Sequence, residues 1–162
     1  MIELLDARCG RGASPWWRRG LANVASLRFD EWRVLAEAVV TLMVVRLALP
    51  MVGFPKLLAW ATRPSPDAGA EWSRERVERT AWVVGLCGRL ARVRCLTRSL
   101  ALARVLARRG VATDIRIGVL TVDGKLLAHA WVEWRGRALN DDNRRLQGFA
   151  AFDRALGTIW HA

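Results

Sequence analysis

The sequence predicts an α+β domain, helical in its first part and closed by a small antiparallel sheet. Three observations carry this. Apolar residues recur at helical spacing through Arg109. From Asp114 the pattern switches to strict alternation, with Ile115, Ile117 and Val119 on one side. Asp123-Gly124 and Arg135-Gly136 then divide the remainder into three short strands.

Taken in order, residues 1–27 read as a flexible tail. Gly, Arg, Ser and Pro break any period there, and Trp16-Trp17 stands isolated. Residues 28–62 read as apolar helices. Ser26 or Asp30 is placed to cap the first, and EWRVLAEAVVTLMVVRLALPMVGF carries only Glu37 and Arg46 as central charges. Its length approaches the roughly 20 residues of a membrane span. Two charges and Pro50 interrupt it, and an ion near mid-bilayer costs at least ~2.5 kcal/mol. Two readings stand: a helix packed on the domain or a partner protein, and a helix seated on a membrane. Pro50 is expected to end or kink it, and a second short helix is expected from Lys56 to about Thr62.

Residues 63–162 read as the core domain. ATRPSPDAGAEWS is a linker, and Ser65 or Asp67 is placed to open a helix over about residues 70–91. Val77, Ala81, Val84 and Cys87 share one face of that helix, so Cys87 reads as a small buried hydrophobe. The next helix, CLTRSLALARVLARRG, starts at Cys95. Leu96, Ser99, Leu100, Leu102, Ala103 and Leu106 form its apolar face, Thr97, Arg104 and Arg108 its wet side, and Gly110 its C-cap. Strands are expected over Asp114–Val122, Lys125–Trp134 and Arg137–Asp141, with a last short helix around Ala150–Leu156.

A chain of 162 residues with 52% apolar content holds a proper core and is not disordered. The net charge of +11 permits nucleic acid, anionic lipid or an acidic peptide as partner. The arginines are scattered along helices, and no zinc-finger or RNA-binding pattern appears, so nucleic acid is not expected. Three cysteines, Cys9, Cys87 and Cys95, argue against a disulfide framework and for a reducing, cytoplasmic compartment. No metal-ligand spacing and no phosphate-loop glycine pattern occurs, and no cofactor is expected. The N-terminus has early acidic residues and no signal-peptide core.

The chemistry concentrates in Cys95, His129 and Asp141. A cysteine in the first turn of a helix feels the positive dipole end and unpaired backbone N–H groups, which favour thiolate and can serve as an oxyanion hole. Arg94 and Arg98 flank it. His129 stands in an apolar strand, and a carboxylate follows in the next: a thiol, its base and the base's orienter. An ideal hairpin pairs His129 with Gly118, turned away from Ile115, Ile117 and Val119. A bulge at His129, or an end of pairing there, would bring the ring to the helix beside Asp141. A strand regular through His129 would instead favour Asp142 as orienter. Glu133 reads as a strand-face charge, and His161 as incidental.

CLTRSLALARVLARRG, then IGV, then AHAWVEWRGRALND resembles the leader peptidases of lasso-peptide biosynthesis, B proteins with a transglutaminase-like, papain-related core. The similarity spans about residues 29–156. It implies a cysteine protease that removes the leader from a ribosomally made precursor. The family's cysteine, histidine and aspartate fall on Cys95, His129 and Asp141. A macrolactam cyclase then closes the core peptide, and members often require it. No leader-recognition module is seen over residues 1–90, so the resemblance is to the split form, with recognition by a separate small protein. No oxyanion side chain is placed; Gln147 is the only glutamine and follows the triad. Two other readings remain: acyl transfer to an amine on the same fold, and a non-enzymatic, membrane-associated helical scaffold with Cys95 and His129 as core residues.

Overall fold

The computed structural model describes residues 29–65 and 72–152. The expected tail, the Ser26 cap, Asp67, His161 and most of the expected last helix lie outside the described residues. Four longer helices come first: α1 (Phe29–Val52), α2 (Phe54–Thr62), α3 (Arg74–Leu90) and α4 (Cys95–Ala107). Strands β1 (Asp114–Val122), β2 (Lys125–Trp134) and β3 (Arg137–Ala138) follow. A one-turn helix α5 (Asn143–Leu146) and strand β4 (Ala150–Ala151) complete the described fold. The sheet is antiparallel, in the order β3-β2-β1-β4.

α4 is the centre. Leu100, Ala101, Leu102, Ala103, Val105 and Leu106 are fully buried, because α1, α2 and α3 cover it on one side and the Ile115–Val132 pair of the sheet on the other. Truncating a side chain such as Leu106 here costs about 2–5 kcal/mol. Of the residues expected on the wet side of α4, one is buried and one is half-buried. Thr97 is buried, and the Arg104 guanidinium stacks over Trp60 at 4.9 Å. The same group donates to Trp60 O and Arg63 O at 3.2 and 3.1 Å, capping the carbonyl end of α2.

α1 does not end at Pro50. It continues to Val52, because a proline in the last turn removes one backbone donor without breaking the turns before it. Gly53 at φ 83° makes the corner, and α2 opens at Phe54, two residues earlier than expected, with Pro55 in its first turn. α1 is apolar all round. Ala38, Leu42 and Val45 pack into the core, while Val40, Met43, Leu47 and Met51 on the outer side are exposed. Two of its acids face the domain: Glu31 pairs with Arg79, and Glu37 with Arg108 and Arg109. It is the one described helix long and apolar enough to cross a membrane.

α3 is capped by Ser73, whose Oγ accepts from Arg76 N at 3.4 Å, and so begins later than Ser65 or Asp67 would have it. It ends in a Schellman turn with Arg92 at φ 50°: Val93 N donates to Gly88 O and Arg92 N to Arg89 O. That tight reversal delivers the chain to the start of α4. Asp123 and Gly124 both have positive φ, as a type I′ hairpin needs, and β1 and β2 have the expected bounds. The third strand is shorter than expected, and the chain at Ala150 forms a strand paired to β1 instead of a helix.

Candidate functional site: a thiol, an imidazole and a carboxylate at the edge of β2

His129 lies in a regular part of the β1–β2 ladder. Gly118 is its partner, and pairing continues on both sides, so the expected bulge does not exist. The other side of β2 differs. β3 pairs only with Glu133 and Trp134. Beyond Ala138 the chain leaves the sheet: Leu139 N donates to Val132 O at 2.9 Å, and Val132 N donates to the Asn140 side-chain oxygen at 2.8 Å. The strand that would have placed Asp142 across from His129 has ended, so the register argument for Asp142 fails. Asp142 instead caps α5, accepting from Arg144 N at 2.9 Å.

Asp141 takes the place beside the ring. Its Oδ2 lies 2.6 Å from His129 Nε2, while its Oδ1 accepts from Asp142 N at 2.8 Å. Burial alone would push the Asp141 carboxyl up. The His129 hydrogen bond, the Asp142 N–H, the His129 charge and Arg145 together hold it below its ordinary value.

Cys95 reaches the ring across the open edge of β2. Ile117 O accepts from Phe152 N, so Ile117 turns its backbone groups away from β2, and its partner Ala130 belongs to a non-hydrogen-bonded pair. Ala130 therefore aims its N–H and C=O off the far edge, where no described strand covers them. The start of α4 lies there. His129 and the backbone N–H groups of Ala130 and Leu96 are the groups that stabilise the Cys95 thiolate by hydrogen bonding. Burial raises its pKa, yet those hydrogen bonds and the imidazolium charge outweigh burial and leave the thiol below its ordinary value. With Nε2 committed to Asp141, Nδ1 is the nitrogen left for sulfur. Arg94 and Arg98 are not among the groups that lower the thiol. The Arg98 stem lies across α3 instead, so close to Gly88 that a Cβ there would meet its Cδ at 2.9 Å.

Aromatic rings wall the imidazole. The Trp131 ring stacks on it with centroids 6.2 Å apart, and Phe149 lies at 5.5 Å. Both fit because residue 118 is glycine. A Cβ there would meet the Trp131 ring at 2.9 Å and Phe149 Cβ at 3.1 Å. Glu133, expected as a strand-face charge, accepts from Trp131 Nε1 at 2.9 Å and fixes that indole. Sequence reasoning did not single out Gly118, Trp131, Phe149, Ser99 or Asn140. A glycine inside an alternating strand was the one available signal, since it marks close approach.

The three singled-out residues thus converge, and His129 and Asp141 side chains are only 5% and 11% exposed. Cys87 is buried as expected, and burial pushes its thiol up. Gln147 is exposed at the end of α5. The first-turn N–H groups of α4 precede the first helical bond, Arg98 N to Arg94 O, and are the backbone donors nearest the sulfur in sequence. The arrangement can hold a thiolate–imidazolium pair, form a thioester, and pass a proton to a leaving group. The family model described as the transglutaminase-like superfamily matches residues 39–153. Neither a curated protein nor a solved structure matches the chain.

Proposed function

The chain belongs to the transglutaminase-like superfamily, and from that premise we propose that it is a cytoplasmic cysteine peptidase that removes the leader from a ribosomally made lasso-peptide precursor. The observation that carries the reading is the His129 ring held by Asp141 at 2.6 Å beside the start of α4, where it favours the Cys95 thiolate. The resemblance of the Cys95, His129 and Asp141 segments to the split leader peptidases supplies the substrate class.

In this reading Cys95 is the nucleophile. Its thiolate attacks the scissile carbonyl, the S–C bond forms, and the oxyanion is met by first-turn N–H groups of α4. As the C–N bond breaks, His129 gives its proton to the departing amine. His129 then takes a proton from water, hydroxide displaces the sulfur, and the thiolate–imidazolium pair is restored. Asp141 keeps the ring oriented and stabilises its charged form.

A separate leader-recognition protein and a macrolactam cyclase are the partners of this reading. The exposed outer side of α1 is the surface it assigns to a protein partner, because the inner side is already packed into the core. Co-purification with the two proteins should survive in the wild type and weaken in Val40→Asp/Leu47→Asp. Binding of the wild type to lipid vesicles alone would assign that face to a membrane instead.

The test is Cys95→Ala with precursor, recognition protein and cyclase present. Cleavage should fall by at least ~10³-fold while circular dichroism is unchanged. Persistent cleavage overturns the reading. Mass spectrometry of the wild-type product separates hydrolysis, which adds water, from transfer to an amine, which does not.

A further inference from the structure

Each member of the candidate triad has a close chain neighbour in a second hydrogen-bonded group. Ser99 stands one helical turn after Cys95, Ala130 follows His129, and Asn140 precedes Asp141. Ser99 Oγ donates to Ala130 O at 3.0 Å. Asn140 Nδ2 donates to Ser99 Oγ at 3.0 Å, and Asn140 Oδ1 accepts from Val132 N at 2.8 Å. Three separate elements, α4, β2 and the segment after β3, are joined here by directional bonds.

Ser99 is fully buried in an otherwise apolar stretch of helix. A buried hydroxyl there is costly unless paired, and an alanine would serve apolar packing as well. Packing also leaves α4 a freedom that matters. Apolar contact has no preferred direction, so it holds the helix against the sheet without setting its position along the β2 edge. Hydrogen bonds to Ala130 and Asn140 set that position. Catalytic constellations need placement within ~0.5 Å, usually through supporting hydrogen bonds of this kind.

We propose that Ser99 and Asn140 are positioning residues of the site: together they lock α4 to β2 and to the Asp141 segment, and so fix the sulfur-to-ring and ring-to-carboxylate distances. β3 is too short to cover Ala130 and Val132, and these two side chains take the bonds a longer strand would have made. The proposal rests on reading Cys95 and His129 as nucleophile and base. Its test needs no peptide substrate, so it fails or stands separately from the leader-peptidase assignment.

The measurement is the pH dependence of iodoacetamide alkylation at Cys95 in the full chain, read by the mass of the Cys95 peptide apart from those of Cys9 and Cys87. Ser99→Ala and Asn140→Ala should each raise the alkylation midpoint by about one pH unit and slow reaction at pH 7 about tenfold. The double variant should lie within about twofold of either single one, since both act through one lock. Ser99→Thr, which keeps the hydroxyl, should restore the wild-type profile. Val77→Ala, a cavity at the far end of α3, should lower Tm and leave the midpoint in place. An unchanged midpoint in the folded single variants overturns the proposal, and so does an equal displacement in Val77→Ala. Should Ser99→Ala fail to fold, Asn140→Ala, at a half-buried position outside any helix, decides alone.

Discussion

Cys87, buried, and Cys95, half-buried, sit on consecutive helices, and their thiols move in opposite directions. Cys87 lies in the last two turns of α3, where its neighbours are apolar and its own helix already uses the backbone N–H groups. Burial dominates over the nearby Arg89 charge, and the thiol is harder to ionise. Cys95 lies in the first turn of α4, where N–H groups have no carbonyl partner and an imidazole is within reach. There the cost of burial is overcome. Shielding alone does not make a cysteine inert; the helix position and one neighbour decide.

The comparison can be broken by removing that neighbour. His129→Ala should turn Cys95 into a second Cys87, with alkylation at pH 7 about 100-fold slower and its midpoint above the ordinary thiol value of about 8.5. Fast alkylation in that variant would mean that the helix start alone suffices. A smaller effect is expected from Asp141→Asn, which keeps the shape but withdraws the charge. Precursor cleavage should fall by at least ~10-fold while Asp142→Ala leaves the rate unchanged, measured as kcat/KM in parallel. Equal losses in the two variants would return Asp142 to the site.

The opposite thiol shifts also carry opposite signs in stability. Cys95 has a depressed pKa in the folded state, so its pairing adds stability above the unfolded thiol pKa and loses it as pH falls through the depressed value. Cys87 has a raised pKa, so its burial is neutral below the unfolded value and becomes a cost as pH rises towards the raised one. Urea melts between pH 7 and 10 should therefore show a gain in Cys87→Ala relative to wild type only at the alkaline end, and a relative loss there in Cys95→Ala. The smallest effect is Cys87→Ala at pH 7. It should cost about 1–2 kcal/mol for the lost buried sulfur and leave Cys95 alkylation unchanged.

The two cysteines also show how much of the site was legible. Cys87 sits in a helical repeat of apolar residues, and its burial follows from the spacing. Cys95 follows a break in the pattern and opens a new period, so its first-turn position could be read as well. His129 and Asp141 were legible as residue types, in an apolar strand and after a turn. Their meeting was expected through a bulge and occurs without one. Strand length was the missing quantity: Arg137–Asp141 follows a turn as a third strand would, and nothing local says that pairing stops at Ala138. It stops because the Asn140 side chain takes the Val132 N–H that a further strand residue would have taken. A side chain substituting for a backbone carbonyl is a choice made by position in three dimensions.

The residue pattern by itself determined the four main helices, the β1–β2 hairpin and its register, the buried state of Cys87, and the chemical types available for a nucleophile, a base and an orienter. These depend on period, turn conformation and helix ends, which act over a few residues. Tertiary structure alone decided which aspartate meets the ring, that Ser99 and Asn140 join the elements bearing Cys95, His129 and Asp141, that Gly118 makes room for Trp131 and Phe149, and that one side of α1 stays exposed. Each of these depends on which backbone groups are left uncovered when separate elements meet, and that is a property of the assembled layers.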